Sequence, residues 1–140
     1  MQTKLGLTVR LNAEFGTALT QVTEALKSEG FGVLTEIDVK ETMKKKLGED
    51  YSPFKILGAC NPILAHRALT IAPEVGLLLP CNVVVRQLEE GKTEVSLVDP
   101  LEMLGFVGRP ELQPVAQEAR VKMERVAATL QARTVGERAK

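Results

Sequence analysis

The sequence predicts a single α+β domain over residues 1–133, a mainly antiparallel sheet with helices packed on one face, ordered β-α-β-β-β-β-α with additional short helices. Three observations carry this. Segments of alternating or β-branched character are interleaved with segments whose apolar residues recur at helical spacing. Their order lacks the strict βαβ alternation of a doubly wound sheet. With 140 residues, 44% hydrophobic and 26% charged, the chain lies in the globular range and far from disorder. At this size it buries roughly 70% of its unfolded surface and needs no disulfide or metal to fold.

Residues 4–11 alternate, with Leu5, Leu7, Val9 and Leu11 on one face and Lys4, Gly6, Thr8 and Arg10 on the other, as in a half-buried strand. Asn12 is placed to cap the helix that follows. There Phe15, Leu19, Val22 and Leu26 are spaced 4, 3 and 4 residues apart, and Gly30 closes it. Phe31–Val39 is β-branched and aromatic, a second strand. Asp38–Gly48 carries its acids early and three lysines late, an order that complements the helix dipole of a short exposed helix.

Phe54–Cys60 reads as the third strand. Asn61-Pro62 then gives an N-cap followed by a proline at the first helical position, where a missing N–H costs nothing, and the helix ends before Pro73. Gly76–Val85 is the most apolar stretch; with Pro80 inside it, two strand pieces or one interrupted strand are expected. Glu89-Glu90-Gly91-Lys92 turns it into an antiparallel partner, Thr93–Val98. After Asp99-Pro100 comes a helical turn through Leu104. A last helix, from Pro110 or Pro114 to about Arg133, carries Val115, Ala119, Met123, Val126 and Leu130 as its apolar stripe. Residues 134–140 are expected to fray.

Composition removes several functions. Eighteen basic residues balance 18 acidic ones and only five are aromatic, so neither a cationic field for phosphates nor a base-stacking platform exists; nucleic acid is not an expected partner. The start lacks a continuous apolar run and no stretch of about 18 apolar residues occurs, which leads us to expect a soluble cytoplasmic protein with no membrane partner. There is no Walker A sequence, His-Glu-x-x-His, Gly-x-Ser-x-Gly or Cys-x-x-Cys, and Gly30-Phe-Gly32 lacks the third glycine and the context of a dinucleotide site. No cofactor is expected. Arg67, Arg86 and Arg109 carry chemistry that grips carboxylates, but surface arginines mostly project into water, and His66 and Arg67 point about 100° apart on a helix.

One pattern is not generic. The dipeptide Cys-Asn occurs twice, as Cys60-Asn61 and Cys81-Asn82, using both cysteines, and the helix between them holds His66, the only histidine. Cys60 stands just before a helix N-terminus, where unpaired N–H groups favour a thiolate or a bound anion. Helical side chains lean toward the N-terminus, so His66 can cover that turn. The plainer reading of the same residues is structural: buried cysteines acting as small hydrophobes, Asn61 as a cap, Asn82 satisfying strand-end backbone, and His66 as a hydrogen-bonding core residue. Three functional readings stand beside it. The first is a non-enzymatic module binding a small molecule or anion near the Pro62 helix N-terminus through Cys60, Asn61, His66, Cys81 and Asn82. The second is a thiol-based redox or transfer enzyme using Cys60 or Cys81 with His66. The third is a metal site, which those residues leave one ligand short unless Asp99 joins them.

The segments Phe31–Val39, Lys45-Lys-Leu-Gly48, Ile56–Pro62 with Ala65-His66, and Leu78–Val83 with Val98-Asp99-Pro100 resemble the bacterial and archaeal family called domain of unknown function 302. The resemblance runs from about residue 4 to 130. It implies a β-α-β-β-β-β-α arrangement similar to TATA-binding-protein-like folds, and a homodimer. It implies no activity, so it assigns no catalytic role to Cys60, His66 or Cys81. Likeness to a DNA-binding fold is analogy alone, and the balanced charge opposes a DNA role.

Overall fold

The chain's architecture is given by a computed structural model, which describes the backbone of residues 1–139 and side chains as far as Thr134. Five strands, β1 (Gly6–Leu11), β2 (Gly32–Asp38), β3 (Phe54–Cys60), β4 (Cys81–Glu89) and β5 (Lys92–Val98), form one sheet in the order β1-β5-β4-β3-β2. Every neighbouring pair is antiparallel. Five helices accompany them: α1 (Phe15–Ser28), α2 (Val39–Leu47), α3 (Pro62–Ile71), α4 (Pro100–Gly105) and α5 (Gln113–Ala139). This is the α+β domain expected.

Strand alternation decides which face is buried. Val9, Leu11, Leu57, Val83, Val85, Val95 and Leu97 point to one side and pack against Val22, Ala25 and Leu26 of α1 and Met123, Val126 and Leu130 of α5. Burying each large side chain of this kind contributes about 1.5–3 kcal/mol. The opposite face is polar and partly wet: the Thr8 and Ser96 hydroxyls lie 3.2 Å apart, and Glu94 sits between Arg10 and Arg86 at 3.2 and 2.9 Å. A second cluster, with Leu64, Val75, Leu104, Leu112 and Val115 at its centre, fills the space between α3, α4 and α5. Leu79 and Met103 pack against both clusters and mark the seam between them.

The turn chemistry is local and largely as read. Gly30, Gly48 and Gly91 all adopt positive φ, the first after α1, the second closing α2 and the third in the β4–β5 turn. The Asp38 side chain accepts the Glu41 N–H at 2.9 Å and starts α2, which buries no residue.

Four expectations differ. Leu5 is 79% exposed, because β1 begins only at Gly6. The residue at the start of α1 is Glu14, two beyond Asn12. Gly76–Leu79 is not strand: Pro73 opens a 3₁₀ turn over Pro73–Leu78 that buries Val75 and exposes Leu77, and pairing starts only after Pro80, at Cys81. A short apolar run has no period by which strand and turn can be told apart. The last helix runs to Ala139 rather than about Arg133, and Thr134 is buried. The rest of the expected frayed tail lies outside the described side chains.

Candidate functional site

β3 delivers Cys60 to the end of the sheet, and the chain turns at once into α3. Asn61 makes that turn. Its Oδ1 accepts the Leu64 N–H at 3.3 Å and its Nδ2 donates to the Glu29 carbonyl at 3.3 Å, tying the end of α1 to the start of α3. Gly30 lies against it: a Cβ at Gly30 would stand 3.0 Å from Nδ2. Pro62 has no N–H and Leu64 is capped, which accounts for two of the first three positions of α3.

The antiparallel register places Ala59 opposite Cys81, and Cys60, the last residue of β3, lines the same cleft at the end of the sheet. That cleft, about 40 Å³ in volume, has an almost wholly apolar wall in which Asn61, Leu79, Pro80 and Met103 join the two cysteines. It lies at the seam of the two hydrophobic clusters. Pro80 is held over β3 by Gly58, where a Cβ would meet the Pro80 ring and the Thr35 hydroxyl.

Both thiols are free. Burial pushes Cys81 up to about 11, with the charge of Cys60 adding to it. Cys60, half-buried, is also raised by burial. At neutral pH both are therefore thiols, with little thiolate for nucleophilic attack.

The other two candidates lie elsewhere. His66 is exposed. Leu64 and Ala68 are the buried positions of α3, and His66, two residues from each, falls about 200° away on the helical wheel. Asn82 is exposed because strand alternation turns it to the wet face opposite Cys81, where it lines a shallow groove with Thr8, Val84 and Ser96. Among the described residues no group of three from His, Cys, Asp and Glu is placed to hold a metal ion. Asp99 is engaged otherwise, accepting the Leu101 N–H at 2.9 Å and Arg120 at 3.0 Å. The three arginines are paired: Arg67 with Glu118 at 2.6 Å, Arg86 with Glu94 at 2.9 Å, Arg109 with Glu111 at 2.8 Å.

Met103 is the cleft residue that sequence reading missed. The signal available was its position four residues after Asp99, inside the short helix opened by Asp99-Pro100.

No described helix is long and apolar enough to cross a membrane. No curated protein matches the sequence. A crystal structure of an uncharacterised conserved DUF302 protein from Bacillus stearothermophilus is 35% identical and superimposes with a TM-score of 0.78, over 91% of this chain and 97% of that one. The family model described as domain of unknown function DUF302 matches residues 7–130, which span the sheet, the cleft and most of α5. With the family model covering most of the chain and a solved relative of the same kind sharing its fold, this chain belongs to the DUF302 family.

Proposed function

We propose that the protein is a non-enzymatic binding module whose site is the cleft at the start of α3. One observation carries the reading: Cys60, Asn61 and Cys81, brought from the ends of two strands and a helix cap, line a single cleft between two otherwise filled cores. Well-packed interiors rarely leave such space.

The guest is small and is not an anion. Asn61 already occupies the cap of α3, and the groove outside that helix start is lined by Glu29, Glu118 and Lys122, with the two carboxylates held by Arg125 and Arg67. A volume of about 40 Å³ is far below the roughly 300–1,000 Å³ of pockets for drug-sized ligands. A thiol-transfer enzyme needs a depressed thiol pKa, whereas burial raises both cysteines. Reduced thiols suit the cytoplasm, and the homodimer implied by the family resemblance belongs to the same reading; light scattering that finds only monomer removes that part.

The test uses xenon and dimethyl sulfide as neutral probes, read by backbone amide shifts in isotope-labelled protein. Binding shifts Ala59, Cys60, Leu64 and Cys81, and Ala65→Leu, which fills the wall, suppresses the response. Absence of any shift in the native protein removes the reading.

A further inference from the structure

We infer that the sheet face opposite α1 and α5 docks a second copy of this chain, sheet on sheet, about a two-fold axis that runs along a row made by Thr8, Ser96, Val84, Ile56 and Ile37. This rests on the homodimer within the reading above and not on the cleft, and it names the surface the two copies share.

The register sets the row. Thr8 pairs with Ser96, Ser96 with Val84, Val84 with Ile56 and Ile56 with Ile37, so it crosses all five strands. The alternate strand positions carry the core on the other face, under α1 and α5. No residue of the row is buried, and Ile37 is 51% exposed. Val84, Ile56 and Ile37 stand on three adjacent strands, where cross-strand neighbours touch. Apolar side chains scattered singly over a surface need no explanation, but a contiguous patch marks an interaction surface.

Charge selects the axis. One step along the strands from the row lie Arg10, Glu94, Arg86 and Phe54, which together carry one net positive charge. One step the other way lie Gly6, Asn82, Gly58 and Thr35, all uncharged. Two copies of one face can meet about an axis parallel to the strands or across them. With the axis along β4, the central strand, Arg86 would oppose its own copy and Ile37 would oppose a threonine. With the axis across the strands, along the row, Ile37, Ile56 and Val84 each meet their own copies. Arg86 then stands over Asn82 of the partner subunit, whose amide oxygen can accept a guanidinium N–H, and no like charges oppose one another.

Size agrees with a dimer. Five strands about 4.8 Å apart, the shortest of them six residues long, make a face of roughly 500 Å². Two such faces reach the roughly 1,000 Å² that a specific interface must clear. Aligned sheets pack about 10 Å apart, which lets side chains of this length interdigitate.

The experiment is sedimentation equilibrium of the full chain over a wide range of concentration, with folding of each variant checked by circular dichroism. A dimer is expected. Val84→Arg sets two guanidiniums against each other on the axis and weakens association by about a hundredfold or more; Ile56→Lys does the same from the next strand. Phe106→Arg, at a side chain 89% exposed outside the sheet, leaves association unchanged. Asn82→Arg weakens it by about tenfold or more, and adding Arg86→Asn restores it. A native protein that stays monomeric overturns the inference together with the homodimer, gives the face to a partner of different sequence, and leaves the cleft reading to its neutral probes. A dimer that survives Val84→Arg and Ile56→Lys, or that Phe106→Arg dissociates, keeps the homodimer and overturns this interface. Failure of Arg86→Asn to restore Asn82→Arg overturns the axis.

Discussion

Asp99 and Arg120 are joined at 3.0 Å, their side chains 3% and 21% exposed. The same carboxylate caps α4 through the Leu101 N–H, so one residue fixes both the start of the helix carrying Met103 and its seat on α5. Asp99→Ala removes a cap worth about 1 kcal/mol and takes from Arg120 the more buried of its two carboxylate partners, Glu124 remaining at 3.2 Å; breaking a pair costs roughly 3–5 kcal/mol where both partners are fully buried. With Arg120 partly in water, the expected total is about 3 kcal/mol by urea unfolding. Asp99→Asn keeps a cap acceptor and loses less. If the two variants are equally stable, the ion pair rather than the cap carries the energy.

Asn61 is the corresponding junction at the other side of the cleft. Asn61→Ala deletes the acceptor for Leu64 and the donor to Glu29, with an expected cost of about 2 kcal/mol. Gly30→Ala acts on the same junction from the other partner. Its φ of 84° is in the left-handed region, and the added Cβ would press on Asn61 Nδ2 at 3.0 Å, so about 1–2 kcal/mol is lost. Thermal unfolding of the two single variants and the double variant tests the coupling. Full additivity would show that the glycine and the asparagine do not act on one another.

Much of this fold was legible because local and global signals agree. Asn61-Pro62, Asp38 with its lysines downstream, and the alternation of Val83, Val85, Val95 and Leu97 each specify an element without help from the rest of the chain. The Cys-Asn repeat correctly directed attention to one region, but the repeat itself is not a unit. Cys60-Asn61 straddles a strand end and a cap, whereas Cys81-Asn82 lies within a strand, where period two sends the neighbours to opposite faces. Met103 carried no pattern of its own. Its part in the cleft depends on α4 docking across the seam, a tertiary event that no spacing encodes.

His66 and Asn82 therefore separate the sequence reading from the structural one. Both are exposed and neither lines the cleft. His66→Ala and Asn82→Ala are each expected to stay within about 0.5 kcal/mol of the native stability and to leave the alkylation rate of both cysteines unchanged. A several-fold change in Cys60 reactivity in His66→Ala would return the histidine to the site.

Cys81 makes stability depend on alkaline pH, with a sign that follows from its burial. Its thiol is moved from 9.0 in the unfolded chain to about 11 in the folded one. Between these values the native state keeps a proton that the unfolded state has released, so stability falls as pH rises. The contribution is fully present below pH 9 and is lost by about pH 11; two units correspond to about 2–3 kcal/mol. Cys60, also raised by burial, acts in the same direction. The informative quantity is the difference between native protein and Cys81→Ala, in which the contributions of all other groups cancel. That difference, measured by urea unfolding from pH 8 to pH 11, shrinks by about 2–3 kcal/mol if the thiol wall of the cleft is dry. A constant difference would mean that water reaches Cys81 and that the cleft is not the apolar space from which its guest was inferred.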